Sequence, residues 1–418
     1  MKKKLAIVGS GISAMTCAFY LKDDFDVYIF DKNDYLGGHT HTHSIHENGK
    51  KIKVDTGFIV FNEETYPNML KMFAELGVEK QKSEMSFSVY NQETGLQFSG
   101  TSYSHLFAQK RNFLSIRYIK FLLEINKFFK IAKNDHKKVS GSKETIADYC
   151  KRNGLSEYFI ENYLAPMSAA VWSTPQEEVY NFPISLLLPF FYNHGLLGME
   201  GQHQWYTVKG GSNTYTKKIV ESGKFNIHLN EEVLSAIEGE DKAILNTIKG
   251  EYEFDYVVLA SHANESLKIA KGMRPEDKEL LSSFDYNKNI AILHTDEKVM
   301  PPVRKVWSSW NNVIKKDESG KIHSSTIYWM NRLEKLDTKT NYFVSLNPIE
   351  EIDAKKTIKK IEYYHPNFTV ENFSIQNSLK DLNNDTRIFF AGAYFKYGFH
   401  EDGMTSGLNV AEKILNNK

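Results

Sequence analysis

Leu5-Ala6-Ile7-Val8 is an unbroken apolar run that stops at Gly9, the pattern of a short strand covered on both faces of a parallel sheet. The spacing of apolar positions then predicts a helix from about Ile12 to Lys22. Asp26-Val27-Tyr28-Ile29-Phe30-Asp31 returns to β-branched and aromatic residues, so strand, helix and strand follow one another as a βαβ unit. Tyr256-Val257-Val258-Leu259-Ala260 and Arg387-Ile388-Phe389-Phe390-Ala391-Gly392 repeat the buried-strand pattern, and a helix from Gly407 to Leu415 follows the second. Between these pieces lie a helical, aromatic-rich stretch from about 104 to 200 and a strand-rich stretch from about 285 to 350, both bounded by polar segments. The pattern predicts one domain assembled from 1–80, 205–265 and 380–418, with a substrate domain from 81–204 and 266–379 interleaved.

A chain of 418 residues supports two domains. Its 52 acidic and 52 basic residues cancel, which gives no single-sign field for nucleic acid. The two cysteines, Cys17 and Cys150, are far apart, a usage that fits a reducing cytoplasm. Met1-Lys2-Lys3-Lys4 and the run after it imitate a secretion signal, but the glycines at 9 and 11 interrupt the run, and it reads as structure. The longest apolar stretch, Ile184 to Phe191, falls short of the roughly 20 residues that span a bilayer and contains Pro189. Any membrane contact is therefore expected to be peripheral, at the inner face.

Gly9-Ser10-Gly11-Ile12-Ser13-Ala14 is a GxGxxA dinucleotide fingerprint. Its first glycine makes the turn, its second admits pyrophosphate to the backbone, and Ala14 allows close packing of helix on strand. Asp31, with Lys32 beside it, closes the second strand about 20 residues on, where a carboxylate accepts hydrogen bonds from ribose. The fold class is thus α/β, a Rossmann-like dinucleotide-binding domain with an interleaved α+β substrate domain. Gly37-Gly38-His39-Thr40 follows closely and resembles the second glycine motif of the amine oxidase and phytoene desaturase superfamily, whose cofactor is FAD. Those families carry arginine after the pair; here His39 stands there, and its charge is absent at neutral pH.

The resemblance continues through Val54-Asp55-Thr56-Gly57-Phe58-Ile59-Val60-Phe61-Asn62, Thr65-Tyr66-Pro67-Asn68-Met69, Met85-Ser86-Phe87-Ser88 and Leu106-Phe107-Ala108-Gln109-Lys110. Phe390-Ala391-Gly392-Ala393 and Gly398-Phe399-His400-Glu401-Asp402-Gly403-Met404-Thr405-Ser406-Gly407 extend it to the end of the chain. From residue 4 to about 412 the chain is similar to the bacterial NAD/FAD-binding proteins related to the flavin domain fused to plant cyclopropane fatty acid synthases. The resemblance implies that backbone at Gly57, Phe58, Ile59 and Val60 borders the isoalloxazine. It also implies that a Gly403-Met404 turn opens the last helix toward the flavin, with Asp402 beside ribityl or phosphate. Glu231-Glu232-Val233 would meet the adenine, Ala260-Ser261 would end the strand beneath it, and Gly392 would belong to the same site. Gly210-Gly211 opens another helix of that domain or makes a plain helix-start turn.

Trp307 to Asn311 and Tyr328-Trp329-Met330-Asn331-Arg332 place aromatic and amide groups where the superfamily's sheet faces the flavin. Tyr328, Asn331 and His400 are accordingly the candidate catalytic residues, although a capping or structural role for His400 fits its position better. His39, His41, His43 and His46 alternate as metal ligands on a strand do, but no acid or cysteine completes the set, and no metal is expected. Lys110 to Lys133 reads as a basic amphipathic helix, suited to an anionic bilayer and better suited to domain packing. No second GxGxxG marks a nicotinamide site. The resemblance implies an FAD-dependent oxidoreductase that transfers hydride to flavin N5 from an unsaturated or modified fatty acyl chain, by desaturation or double-bond isomerisation. Oxidation of a small amine is the alternative, or a flavin-bearing partner of a lipid-modifying methyltransferase without turnover of its own.

Overall fold

The computed structural model describes residues 2–198 and 202–417. Its centre is a five-stranded parallel sheet in the order Phe225–His228, Phe25–Phe30, Lys3–Val8, Tyr256–Leu259, Ile388–Phe390. Successive residues of the first strand face opposite ways. Leu5 and Ile7 enter a core with the helices Ile12–Leu21, Pro67–Leu76, Asn213–Glu221 and His400–Asn416, while Ala6 and Val8 enter another with Val233, Leu245 and Phe254. Two covered faces leave no position for a polar side chain, which explains the unbroken apolar run. The edge strand Phe225–His228 carries a mixed pattern of half-buried residues and has no such signature.

The second large sheet has seven strands, in the order Thr357–Pro366, Tyr286–His294, Phe343–Leu346, Ile322–Trp329, Trp310–Lys316, Phe87–Asn91, Leu96–Ser99. Only the pairing of Trp310–Lys316 with Phe87–Asn91 is parallel. Helices between 103 and 193 cover one side: Val89, Phe98 and Ile314 share a core with Phe121, Phe128, Phe159 and Leu186 to Leu188. The apolar stretch around Pro189 is therefore the buried helix Ile184–Asn193. Among the described residues no helix is long and apolar enough to cross a membrane.

One boundary needs correction. The last helix begins at His400, a full two turns before Gly407, and Gly403 and Met404 lie inside it rather than in a turn. The Asp402 carboxylate accepts from the Phe399 and Tyr397 N–H groups (3.0 and 3.2 Å) and so closes the helix start. Gly403 is small for packing: a Cβ there would stand 2.8 Å from Ile12 Cγ2.

Candidate active site

The carboxyl ends of the parallel strands open into a long cavity of about 1640 Å³. At its first end Gly9 turns the chain with φ 95°, its N–H donating to the Phe30 carbonyl at 2.8 Å; a Cβ would stand 2.9 Å from the Ala260 oxygen, so only glycine fits. Gly11 caps the helix Ile12–Leu21 without any side-chain partner, and a Cβ there would meet nothing within 4 Å. The free N–H groups of that helix thus face open cavity. Gly9, Ser10, Gly11, Ile12 and Ser13 line the wall; Ala14 is fully buried behind it.

Asp31 lines the same end with both oxygens held, one by Ser10 Oγ at 2.5 Å and the other by Asn33 N and Nδ2 at 2.9 Å. Lys32 Nζ pairs with Glu265 at 2.5 Å. Beside them are Val233 and Ala260, together with Glu231, whose carboxyl burial pushes up but whose bonds from Thr247, Tyr252 and His228 hold at about 2. Gly38 reaches the wall against Gly11, whereas Gly37 stands one layer back.

His39 also lines the cavity. Its ring stacks on Tyr363 at 4.9 Å, and its Nε2 is buried with no partner among the described residues. Burial, then the imidazoles of His365 and His262, push its pKa well below the usual range, so it is neutral. The neighbouring histidines are engaged: His41 Nδ1 meets the Tyr363 hydroxyl at 3.1 Å, and His43 Nε2 meets Thr56 Oγ1 at 3.1 Å. Among the described residues no group of three histidines, cysteines or carboxylates is arranged around a metal.

The far end is formed by Gly57, Phe58, Ile59, Val60, Gly392, His400 and Tyr328. His400 stacks flat on Phe58, with centroids 3.7 Å apart and planes at 8°. Its Nε2 lies 3.1 Å from both Thr40 Oγ1 and the Tyr215 hydroxyl, which themselves share a hydrogen bond. Burial lowers its pKa to about 3. The geometry is that of a neutral imidazole fixed on one edge and one face, and Thr40 contributes by holding it from behind the wall. Tyr328 is half-buried, its hydroxyl is desolvated and its pKa raised, and among the described residues that hydroxyl meets the Ala170 carbonyl at 3.5 Å. Trp310 stands perpendicular to Tyr328 at 5.3 Å with its indole N–H buried and, among the described residues, unpartnered.

Four candidates sit elsewhere. Asn331 is absent from the cavity wall: its amide donates to the Thr340 carbonyl at 2.8 Å and accepts from Tyr342 N at 2.7 Å, so it ties the turn beyond Tyr328. Asp402, expected beside ribityl or phosphate, caps the last helix and faces a neighbouring cavity of about 770 Å³; burial raises its pKa to about 6. Gly403 and Met404 lie inside the helix behind it, off the main wall.

Past Tyr328 the cavity continues as a channel lined by Phe98, Phe107, Leu122, Ile125, Phe129 and Met167, ending at Lys130 and Lys133. Leu122, Ile125, Asn126, Phe129, Lys130 and Lys133 recur at helical spacing on one face of Ile116–Asp135. That spacing is visible in the sequence; which face meets a cavity is not. The whole volume exceeds the ~300–1,000 Å³ usual for one small molecule. A glycine loop opening on a helix N-terminus, an acid at the next strand's end and an unpartnered imidazole nitrogen at His39 fit an extended dinucleotide, with room for a second molecule beyond it.

Residues 12–346 match the family described as flavin containing amine oxidoreductase. The chain belongs to that family. The chain is thus an FAD-dependent oxidoreductase, with FAD as its cofactor. A curated relative, 15-cis-phytoene desaturase from Synechococcus elongatus, is 34% identical over 93 residues, 22% of this chain and 19% of that protein. The alignment thus reaches about a fifth of the relative's length. Among solved structures, putrescine oxidase bound to putrescine aligns with TM-score 0.71 and 13% identity over 100% of this chain and 99% of its own. A CLA-producing fatty acid isomerase from P. acnes aligns with TM-score 0.70 and 12% identity over 98% of each chain. Cyclohexylamine oxidase from Brevibacterium oxydans aligns with TM-score 0.67 and 14% identity over 100% and 99%. These likenesses are of fold.

Proposed function

We propose that this oxidoreductase acts on an unsaturated or modified fatty acyl chain lying in the channel, its anionic head near Lys130 and Lys133 and its reacting carbons beside Tyr328. The observation that carries the reading is the polarity of the channel: mostly aliphatic and aromatic from Phe98 to Met167, with Thr101 and Asn126 as its neutral polar side chains, lysines at the rim and, among the described residues lining it there, no carboxylate. Glu84, where the channel joins the flavin end, is already paired with Arg332 at 2.6 Å. An ammonium substrate would lose its hydration without gaining a counter-charge, whereas an acyl chain buries apolar surface and keeps its head at the lysines. FAD, when bound, supplies a hydride acceptor at flavin N5.

In this reading Gly9 to Ser13 receive the pyrophosphate at the first helix N-terminus, and Asp31 binds ribose. His39 Nε2 donates to the cofactor. Tyr328 and Trp310 confine the chain and exclude water, and His400 positions Phe58. We assign the cofactor half to 1–80, 205–265 and 380–418 and the substrate half to 81–204 and 266–379. Loss of a hydride to FAD and of a proton to solvent from adjacent carbons would give a new double bond, with oxygen or another acceptor reoxidising the cofactor; loss of the hydride alone and its return to a different carbon would give a shifted double bond without an external acceptor. Anaerobic mixing of the FAD-loaded protein with a long-chain unsaturated acid should bleach the flavin or, for isomerisation, yield a shifted double bond in the recovered acid. Putrescine and cyclohexylamine should do neither. Lys130→Glu with Lys133→Glu should raise the half-saturating acid concentration about tenfold with little change in maximal rate. Bleaching by amines with the acid inert overturns the reading.

A further inference from the structure

The five most exposed large apolar side chains among the described residues all fall within one short stretch: Leu114 at 92%, Tyr103 at 77%, Ile116 at 75%, Leu123 at 63% and Phe113 at 59%. A clustered apolar tip on a folded protein marks an interaction surface. Between residues 103 and 133 the chain also carries seven cations, Lys110, Arg111, Arg117, Lys120, Lys127, Lys130 and Lys133, against one acid, Glu124, which Ser156 Oγ occupies at 2.5 Å. All seven are exposed, and among the described residues none forms an ion pair with a carboxylate. Arg117 rests on the Tyr158 ring, and Arg111 and Lys127 donate to backbone carbonyls.

The tip adjoins the channel directly. Tyr103 is both exposed and part of the cavity wall. Phe113 stacks at 4.1 Å on Phe107, which lines the channel, and exposed Leu123 follows Leu122, which also lines it.

We infer that this tip docks on an anionic phospholipid bilayer. Phe113, Leu114, Ile116 and Leu123 enter the boundary between headgroups and acyl chains, Lys110, Arg111, Arg117, Lys120 and Lys127 meet lipid phosphates, and an acyl chain passes from the bilayer into the channel without crossing water. The occupant follows from charge complementarity: an apolar end ringed by one sign of charge suits an anionic lipid surface, and a second copy of the same face would set like charges together. The route rests on the acyl reading above; the docking stands or falls separately.

Flotation of the FAD-loaded protein with phosphatidylcholine–phosphatidylglycerol vesicles, against pure phosphatidylcholine vesicles, tests it. Each cation near such a surface is worth roughly fivefold in affinity, so binding should be at least about tenfold stronger on the mixed vesicles and should fall in high salt. Leu114→Glu with Ile116→Glu, and separately Lys110→Glu with Lys120→Glu, should each weaken it about tenfold or more. Those side chains lie in solvent away from the cavity, so unfolding temperature, flavin content and turnover of detergent-dispersed acid should not change. Failure of the wild-type protein to float with mixed vesicles, or flotation of Leu114→Glu with Ile116→Glu equal to wild type, overturns the inference. Dimerisation that the same substitutions abolish would assign the face to a second copy and likewise overturn it. Vesicle binding with detergent-dispersed acid inert would refute the acyl reading alone.

Discussion

Gly11 and Asp31 separate holding a cofactor from holding the fold. The Gly11 Cβ position is empty out to 4 Å and its φ of −67° suits any residue, so Gly11→Val puts its methyls into the cavity and strains nothing else. We expect that variant to fold, with the flavin-free protein unfolding at the wild-type temperature, yet to purify colourless because pyrophosphate cannot approach the helix. Asp31→Ala removes a charged acceptor from ribose and from Ser10 and Asn33, at about 1.5–3 kcal/mol for the bond to the charged group. Flavin absorbance per protein should drop about tenfold or more. Full yellow occupancy in both variants would refute the roles given to them.

At the scale of elements, the crossing of the first and last helices aims the site. A Cβ at Gly407 would stand 2.5 Å from the Ser13 carbonyl oxygen, and the Cys17 thiol donates to the Gly407 carbonyl at 3.2 Å. This close approach brings the start of the last helix, with His400, beneath Gly57 and Phe58. Gly407→Ala would gain about 1 kcal/mol of helix propensity. The backbone contact cannot yield, however, and overpacking of this kind costs about 1–3 kcal/mol. Thermal unfolding of Gly407→Ala should therefore begin at a lower temperature, with flavin more weakly held; an unchanged or higher transition would show that the helices can part without loss.

Across the whole molecule, a buried carboxyl pair joins segments distant in sequence. Asp55 accepts from Ser212 N (2.8 and 3.0 Å to its two oxygens), Ser212 Oγ and Thr42 Oγ1 at the start of the helix Asn213–Glu221, and it touches Glu334 from the turn beyond the seven-stranded sheet. Burial pushes both carboxyls up, and Asp55 then raises Glu334 well above its usual value. Asp55 has the donors, so the shared proton rests on Glu334. A folded-state pKa above the unfolded one means that this stability is fully present below about pH 4.3 and is lost as pH rises toward the folded value. Glu334→Gln keeps the donor and cannot lose it. Its stability relative to wild type should climb with pH above that point, by at most about 1.4 kcal/mol per unit, and chemical denaturation at a series of pH values reads the slope. A flat difference would place the proton elsewhere.

Sequence alone determined what depends on neighbours in the chain. Burial on both faces writes itself as an apolar run, so the strands at Leu5, Val27, Val258 and Phe389 were legible, and so were the spacing of Gly9, Gly11 and Asp31 that marks a dinucleotide-binding domain and the Gly37-Gly38 pair that resembles the flavin family. Features set by distant partners were not. The edge strand Phe225–His228 is specified by the strand it joins, whereas the start of the last helix is a local matter, Asp402 turning back to the Phe399 N–H three residues earlier. Asn331 is drawn off the wall by residues 340 and 342. The Asp55–Glu334 contact spans 279 positions, and the cavity face of Ile116–Asp135 exists only once that helix has packed. Periodicity records how deeply a side chain is buried, whereas its partner is chosen when separate elements meet, and only tertiary structure decides that.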